Sequence, residues 1–134
     1  MANVIRVVGG AVTRDGTWLA AQRSATMAEP LAWEFPGGKV EPGESDEGAL
    51  VRELYEELGV DVVTGPRIGS SSVARGDRVI ELIVYEAYLA RGEPLATEHA
   101  ALGWFEPAEL RALDWAEADI PIVSALLTKL ASQG

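Results

Sequence analysis

The sequence predicts an α/β fold, a mixed β-sheet covered by helices on both faces. Three observations lead there. Apolar, β-branched runs (Val4 to Val12, Arg78 to Leu89) alternate with amphipathic segments of helical period, without a strict βαβ rhythm. Asp15-Gly16 is a tight-turn signal between two strand-like runs, so a hairpin opens the chain. The 134 residues suit one domain, spanning 1–134, that buries roughly two-thirds of its unfolded surface around one core.

Taken in order, Val4 to Val12 reads as a strand, with Gly9-Gly10 marking a bulge or a close backbone approach. Trp18 to Gln22 is the second strand, ending at Arg23, and Ser24 to Leu31 is a loop. Trp33 and Phe35 read as core. Gly37-Gly38 and Pro42-Gly43 shape a turn before a helix that Ser45 caps and Gly59 ends. Val60 to Val63 and Ser70 to Val73 form a weaker strand pair or one bent strand, interrupted at Gly65-Pro66. Arg75-Gly76-Asp77 is a turn into the long strand Arg78 to Leu89, apolar enough for burial on both faces. Leu102 to Phe105 is a short strand. Pro107 to Leu113 fits a helix with proline in its first turn. Ile120 to Leu130 is a closing helix whose start Asp119 and Pro121 mark.

Composition removes several functions. No cysteine is present, so there is no disulfide framework and no thiolate metal site or nucleophile. No apolar run reaches membrane-spanning length, and a basic-then-apolar leader pattern is missing at the N-terminus, so a cytoplasmic protein without membrane contact is expected. The formal charge of −10 repels a nucleic-acid polymer. It tolerates a phosphorylated small molecule only where cations reverse the local sign.

Those cations have a place to bind. In the central helix Leu50, Leu54 and Leu58 share one stripe, while Glu53, Glu56 and Glu57 share another face. Three like charges at this spacing repel by a few tenths of a kcal/mol per pair, roughly, on an exposed helix. Arg52 offsets part of that, and a divalent ion such as magnesium or manganese, which prefers hard oxygen ligands, would offset more. By itself such a cluster reads more readily as a solvated acidic face than as a metal site.

The spacing is more specific than a cluster. Gly38, five residues, Glu44, seven residues, Arg52-Glu53-Leu54, one residue, Glu56-Glu57, one residue, Gly59-Val60 resembles the Nudix box, with every fixed position filled. The resemblance implies a Nudix fold, an α/β/α sandwich with a mixed sheet. It implies hydrolysis of a nucleoside diphosphate linked to another group, with Mg2+ as cofactor and Mn2+ able to substitute. Metal ligation falls by the motif on Glu53, Glu56 and Glu57 with a Gly37 or Gly38 carbonyl. Arg52 would orient the glutamates, and Glu44 would brace the turn. Glu98 matches a later-loop glutamate that completes the metal site or acts as base in many MutT-like members. The implied catalytic set is thus Glu53, Glu98, Arg52 and Glu44, with the base either Glu53 or Glu98. His99 beside it stays a surface residue.

The frame around the box is similar to MutT-like nucleoside triphosphate pyrophosphohydrolases: Gln22-Arg23, Trp33 to Lys39, and Ala118 to Pro121. The 104–122 region is closer to the CTP pyrophosphohydrolase type than to the 8-oxo-dGTP enzyme, which carries asparagine where Asp119 stands here. An ionised Asp119 only accepts hydrogen bonds and suits a base amino group, a protonated one also donates, and a plain helix cap reads equally well. Arg23, Lys39, Arg78 and Asp119 form the implied substrate-binding set. The expected reaction converts a (deoxy)nucleoside triphosphate, (d)CTP or a modified nucleotide such as 8-oxo-dGTP, to monophosphate and pyrophosphate. The rivals are hydrolysis of ADP-ribose or another nucleoside diphosphate derivative, and a sensing domain that binds a nucleotide without cleaving it. Monomer and homodimer are both compatible with the chain.

Overall fold

A computed structural model describes residues 3–133. Seven strands form one sheet: β1 (Asn3–Arg14), β2 (Thr17–Gln22), β3 (Trp33–Glu34), β4 (Gly37–Lys39), β5 (Asp61–Arg75), β6 (Arg78–Arg91) and β7 (Ala101–Phe105). The path runs β3-β2-β1-β6-β5, with β4 paired to β1 and β7 to β2. β1 and β6 are parallel and the other pairings between these strands, among the described residues, are antiparallel, so the sheet is mixed. Helices α1 (Asp46–Leu58), α2 (Pro107–Leu110) and α3 (Ile120–Gln133) cover it.

Side-chain alternation decides which helix covers which face. Along β1, Val8 and Val12 pack with Leu50, Leu54 and Leu58 of α1. Val7 and Ala11 point the other way, into a cluster with Leu110 of α2 and Ile122, Val123 and Leu126 of α3. β6 does the same, sending Leu82 and Val84 to the α3 side and Tyr85, Ala87 and Leu89 to the α1 side. That is the two-faced burial its apolar run predicted.

The opening hairpin turns at Asp15 and Gly16, both at positive φ (53° and 79°), and pairs Arg14 with Thr17. Gly9-Gly10 causes no bulge, since β1 and β6 stay in unbroken register from Asn3 to Thr13. Its role is close approach: a Cβ on Gly10 would sit 3.1 Å from a Leu54 methyl, so α1 lies directly on the backbone there. β5 is one bent strand rather than two, its register shifting around Gly65-Pro66. Proline survives because β5 is a sheet edge, where one side of the strand needs no ladder bonds.

Three local expectations are corrected. Gly37-Gly38 is not part of a turn but of β4, registered Val8 to Gly38 and Gly9 to Gly37. The helix expected over Pro107 to Leu113 stops at Leu110. There the chain tightens through Ala112 and Leu113 amides to Glu109 and Leu110 carbonyls, and Trp115 turns inward to donate to the Leu110 carbonyl at 2.8 Å. Pairing of 114–116 with Trp33 then takes over from helix. Asp119 immediately precedes α3, as its start signal required, yet its side chain does not cap it. The carboxylate accepts the Phe35 amide at 2.9 Å instead.

Candidate active site

The glutamate face is built from the ends of α1 inward. Ser45 accepts the Gly48 amide at 3.0 Å, which starts the helix, and Gly59 at φ 71° ends it. Leu50, Leu54 and Leu58 are fully buried against the sheet, which fixes the rotation of α1. Glu53, Glu56 and Glu57 therefore face the loops instead of the core.

Arg52 organises this face. Its Nε and one terminal nitrogen grip Glu44 at 2.8 Å each. The other terminal nitrogen reaches Glu53 Oε1 at 3.0 Å and Glu56 Oε2 at 3.2 Å, and the Lys39 carbonyl accepts at 3.0 Å. Glu44 in turn accepts the Glu41 amide at 2.9 Å, closing the loop onto the helix. The Arg52 guanidinium and then this amide hold the Glu44 carboxyl down at about 2. An arginine fork suits this task because its donors are fixed in one plane.

Gly38 sits against Glu53. A Cβ there would lie 2.3 Å from the Glu53 carboxyl carbon, so the carboxylate touches the β4 backbone. Gly37 is tighter still, with a Cβ only 1.9 Å from the Val8 carbonyl. Glycine at both places is a packing requirement. Glu57 is partly buried, and its Oε2 is buried without a protein partner. Burial, and then the charges of Glu53, Glu34 and Glu98 against an opposing His99, push its carboxyl up to about 7.

Among the described residues no three acidic or imidazole groups converge as a preformed cation cage. The donors nevertheless fit a hard divalent ion. They are carboxylate oxygens, one of them buried and unpaired, beside a backbone strand that only glycine allows so near.

A cavity of about 360 Å³ opens next to this face, lined among others by Arg23, Glu34, Phe35, Gly37, Arg78 and Asp119. Gly37 joins the two places, lining the cavity while its neighbour Gly38 meets Glu53. Asp119 is 5% exposed. Burial drives its carboxyl up to about 8, against the Phe35 amide bond that pulls it down. Arg23 bonds Glu34 Oε1 at 2.5 Å and the Ala28 carbonyl at 2.5 Å. Phe35 is buried and stacks on Trp115 with ring centres 4.9 Å apart, whereas Trp33 is only half-buried, edge-on to Phe105. A larger groove, about 510 Å³, runs between Arg111 and α3, and none of the sequence-predicted residues lines it.

Arg23, Arg78 and Asp119 are thus brought to one cavity. Lys39 is not among its lining residues, and its side chain is exposed. Glu98 is exposed on the segment before β7, near enough for its charge to act on Glu57. His99 overturns the surface expectation. Its side chain is 4% exposed, and Nε2 bonds Glu34 Oε2 at 2.9 Å. Glu34, which holds both Arg23 and His99, was also missed. A single histidine in a loop carries no periodic signal, and its partner lies 65 residues away.

A family profile described as NUDIX domain matches residues 4–126. The chain is 41% identical over 130 residues to CTP pyrophosphohydrolase of Escherichia coli strain K12, covering 97% of this chain and 96% of that one. It is 36% identical over 102 residues to 8-oxo-dGTP diphosphatase of the same organism, covering 76% and 78%. The solution structure of the E. coli ORF135 protein superimposes with a TM-score of 0.87 at 40% identity, covering 98% of this chain and 94% of that one.

Proposed function

This chain belongs to the Nudix family of hydrolases, a family that generally uses divalent metal ions, and from that premise we propose that it cleaves a (deoxy)nucleoside triphosphate to the monophosphate and pyrophosphate with Mg2+, or Mn2+ in its place. The observation that carries the proposal is the continuity between the cavity and the glutamate face through Gly37-Gly38. A nucleoside in the cavity has its phosphates led along β4 to Glu53, Glu56 and Glu57.

Divalent ions, when bound there, would withdraw charge from the phosphates and activate water. Glu53, Glu56, Glu57 and Glu98 would hold them, with a carbonyl of Gly37 or Gly38. Arg52 and Glu44 keep the carboxylates in place, since Arg52 bonds Glu44, Glu53 and Glu56 at once. Arg23 and Arg78 line the cavity, and in this reading Arg78 meets the base and Arg23 the phosphate.

Asp119 meets the base in this reading. With its carboxyl at about 8, the free protein presents a carboxylic acid at neutral pH, one donor and one acceptor together. Cytosine offers an amino donor beside a ring-nitrogen acceptor, and 8-oxoguanine offers a ring N–H beside a carbonyl. Both match, as do the donor-acceptor edges of other bases, so the choice of (d)CTP and 8-oxo-dGTP as proposed substrates rests on the two similar relatives' names.

The test is pyrophosphate release with Mg2+ from dCTP, CTP, 5-methyl-dCTP, dGTP and 8-oxo-dGTP, ranked by kcat/KM. Selective turnover of the cytosine nucleotides or of 8-oxo-dGTP supports the reading. Turnover of ADP-ribose or a nucleotide sugar without turnover of any triphosphate, with Mg2+ or Mn2+, would sink it.

A further inference from the structure

Residues 95–100 lead into β7 and carry no regular secondary structure, yet the segment is fastened at four points. At one end the Leu95 amide donates to the Leu58 carbonyl at 3.2 Å, and the Thr97 hydroxyl donates to the Glu57 carbonyl at 2.9 Å. These carbonyls belong to the last turn of α1, where helix geometry leaves acceptors without partners. At the other end His99 Nε2 meets Glu34 Oε2 at 2.9 Å, and the Ala100 amide donates to the Gln22 carbonyl at 2.9 Å. Glu98 is the one residue between Thr97 and His99, and it faces outward while His99 is enclosed.

We propose that Thr97 and His99 are positioning residues for Glu98, tying the segment that carries it to the C-terminal turn of α1 on one side and to Glu34 of the nucleotide cavity on the other. The inference rests on the reading of Glu98 as a metal ligand. An outward-facing glutamate in an unfastened loop would sample many positions. Fixing the backbone on both sides confines the carboxylate to the neighbourhood of Glu57. The Thr97 bond ends on the main chain of Glu57 itself, so the two candidate ligands are registered directly against each other. The His99 bond ends on Glu34, which also holds Arg23, so the same segment is registered against the cavity wall.

The decisive experiment uses the full chain with Thr97→Val, Thr97→Ser and His99→Phe, each alone and combined with Glu98→Gln. Mn2+ affinity is read by electron paramagnetic resonance without nucleotide, amide hydrogen exchange is read over 95–100, and kcat is read with Mg2+. Thr97→Val and His99→Phe should each weaken Mn2+ binding and lower kcat by about tenfold or more. Exchange over 95–100 should quicken, while Thr97→Ser stays near the parent protein. On the Glu98→Gln background the same changes should add nothing. Thr97→Val is exposed and nearly isosteric, so it keeps the test open if His99→Phe does not fold. Unchanged Mn2+ affinity and kcat in folded Thr97→Val, or an equal further loss on the Glu98→Gln background, would overturn the inference. A parent protein that turns over no triphosphate but shows the Mn2+ pattern would overturn the substrate reading alone.

Discussion

Substituting Gly38 separates the catalytic face from the stability of the fold. In Gly38→Ala the new methyl carbon would lie 2.3 Å from the Glu53 carboxyl carbon, and ordinary contact begins near 3.4 Å. The carboxylate must therefore retreat by about 1 Å, a displacement able to cost about a hundredfold in rate at a reacting centre. The clash is with the far end of a flexible side chain, not with backbone, so stability should barely change. Glu53 also leaves its 3.0 Å contact with Arg52, a part-buried pair, while Arg52 keeps both bonds to Glu44. The assay is kcat for pyrophosphate release under saturating Mg2+, with thermal denaturation alongside. A fall in kcat of about a hundredfold with an unchanged melting temperature supports the reasoning. A kcat within twofold of the parent would refute it, since Glu53 would then have no need of its place against β4. Gly37→Ala is the contrast: its methyl would meet the Val8 carbonyl at 1.9 Å, so pairing of β4 with β1 should break and the melting temperature should drop.

Three further outcomes are expected. Arg52→Lys removes the planar fork that holds Glu44, Glu53 and Glu56 together, and kcat should fall by about ten- to a hundredfold; steady-state kinetics with Mg2+ checks it, and an unchanged kcat would show that the fork does not order the ligands. Asp119 has a folded-state carboxyl near 8 against 3.8 for the ordinary group, so the folded protein holds a proton that the unfolded chain releases, and stability falls as pH rises between those values. The melting temperature of Asp119→Asn should gain on the parent across that window, by up to about 1.4 kcal/mol per pH unit in unfolding free energy, and parallel pH profiles would contradict it. Ser45→Ala leaves the Gly48 amide without its acceptor and should cost about 1 kcal/mol, read as a shift in the denaturant midpoint.

What could be read from the sequence was local. The α1 boundaries follow from capping residues at its ends, and the Arg52 contact to Glu56 follows from i,i+4 helical spacing. The Glu44 contact spans only eight residues across one turn. The hairpin at Asp15-Gly16 and the two-faced burial of β6 follow from turn chemistry and from an unbroken apolar run. A pattern of spacing within about 25 residues thus carried the family, the helix and the arrangement of its carboxylates.

Contacts between distant parts of the chain were decided by tertiary structure. Gly37-Gly38 looked like a turn because glycine pairs break strands in isolation, and the waiting edge of β1 made them a strand. Asp119 looked like a helix cap because it precedes α3, yet the Phe35 amide 84 residues away took its carboxylate and burial raised its proton affinity. His99 looked solvated because nothing around it is periodic, and Glu34 drew it inside. In each case residue type and spacing set what the group can do, while the partner that packing delivers sets what it does. That partner is fixed by the shape of the whole sheet, which no local window of sequence contains.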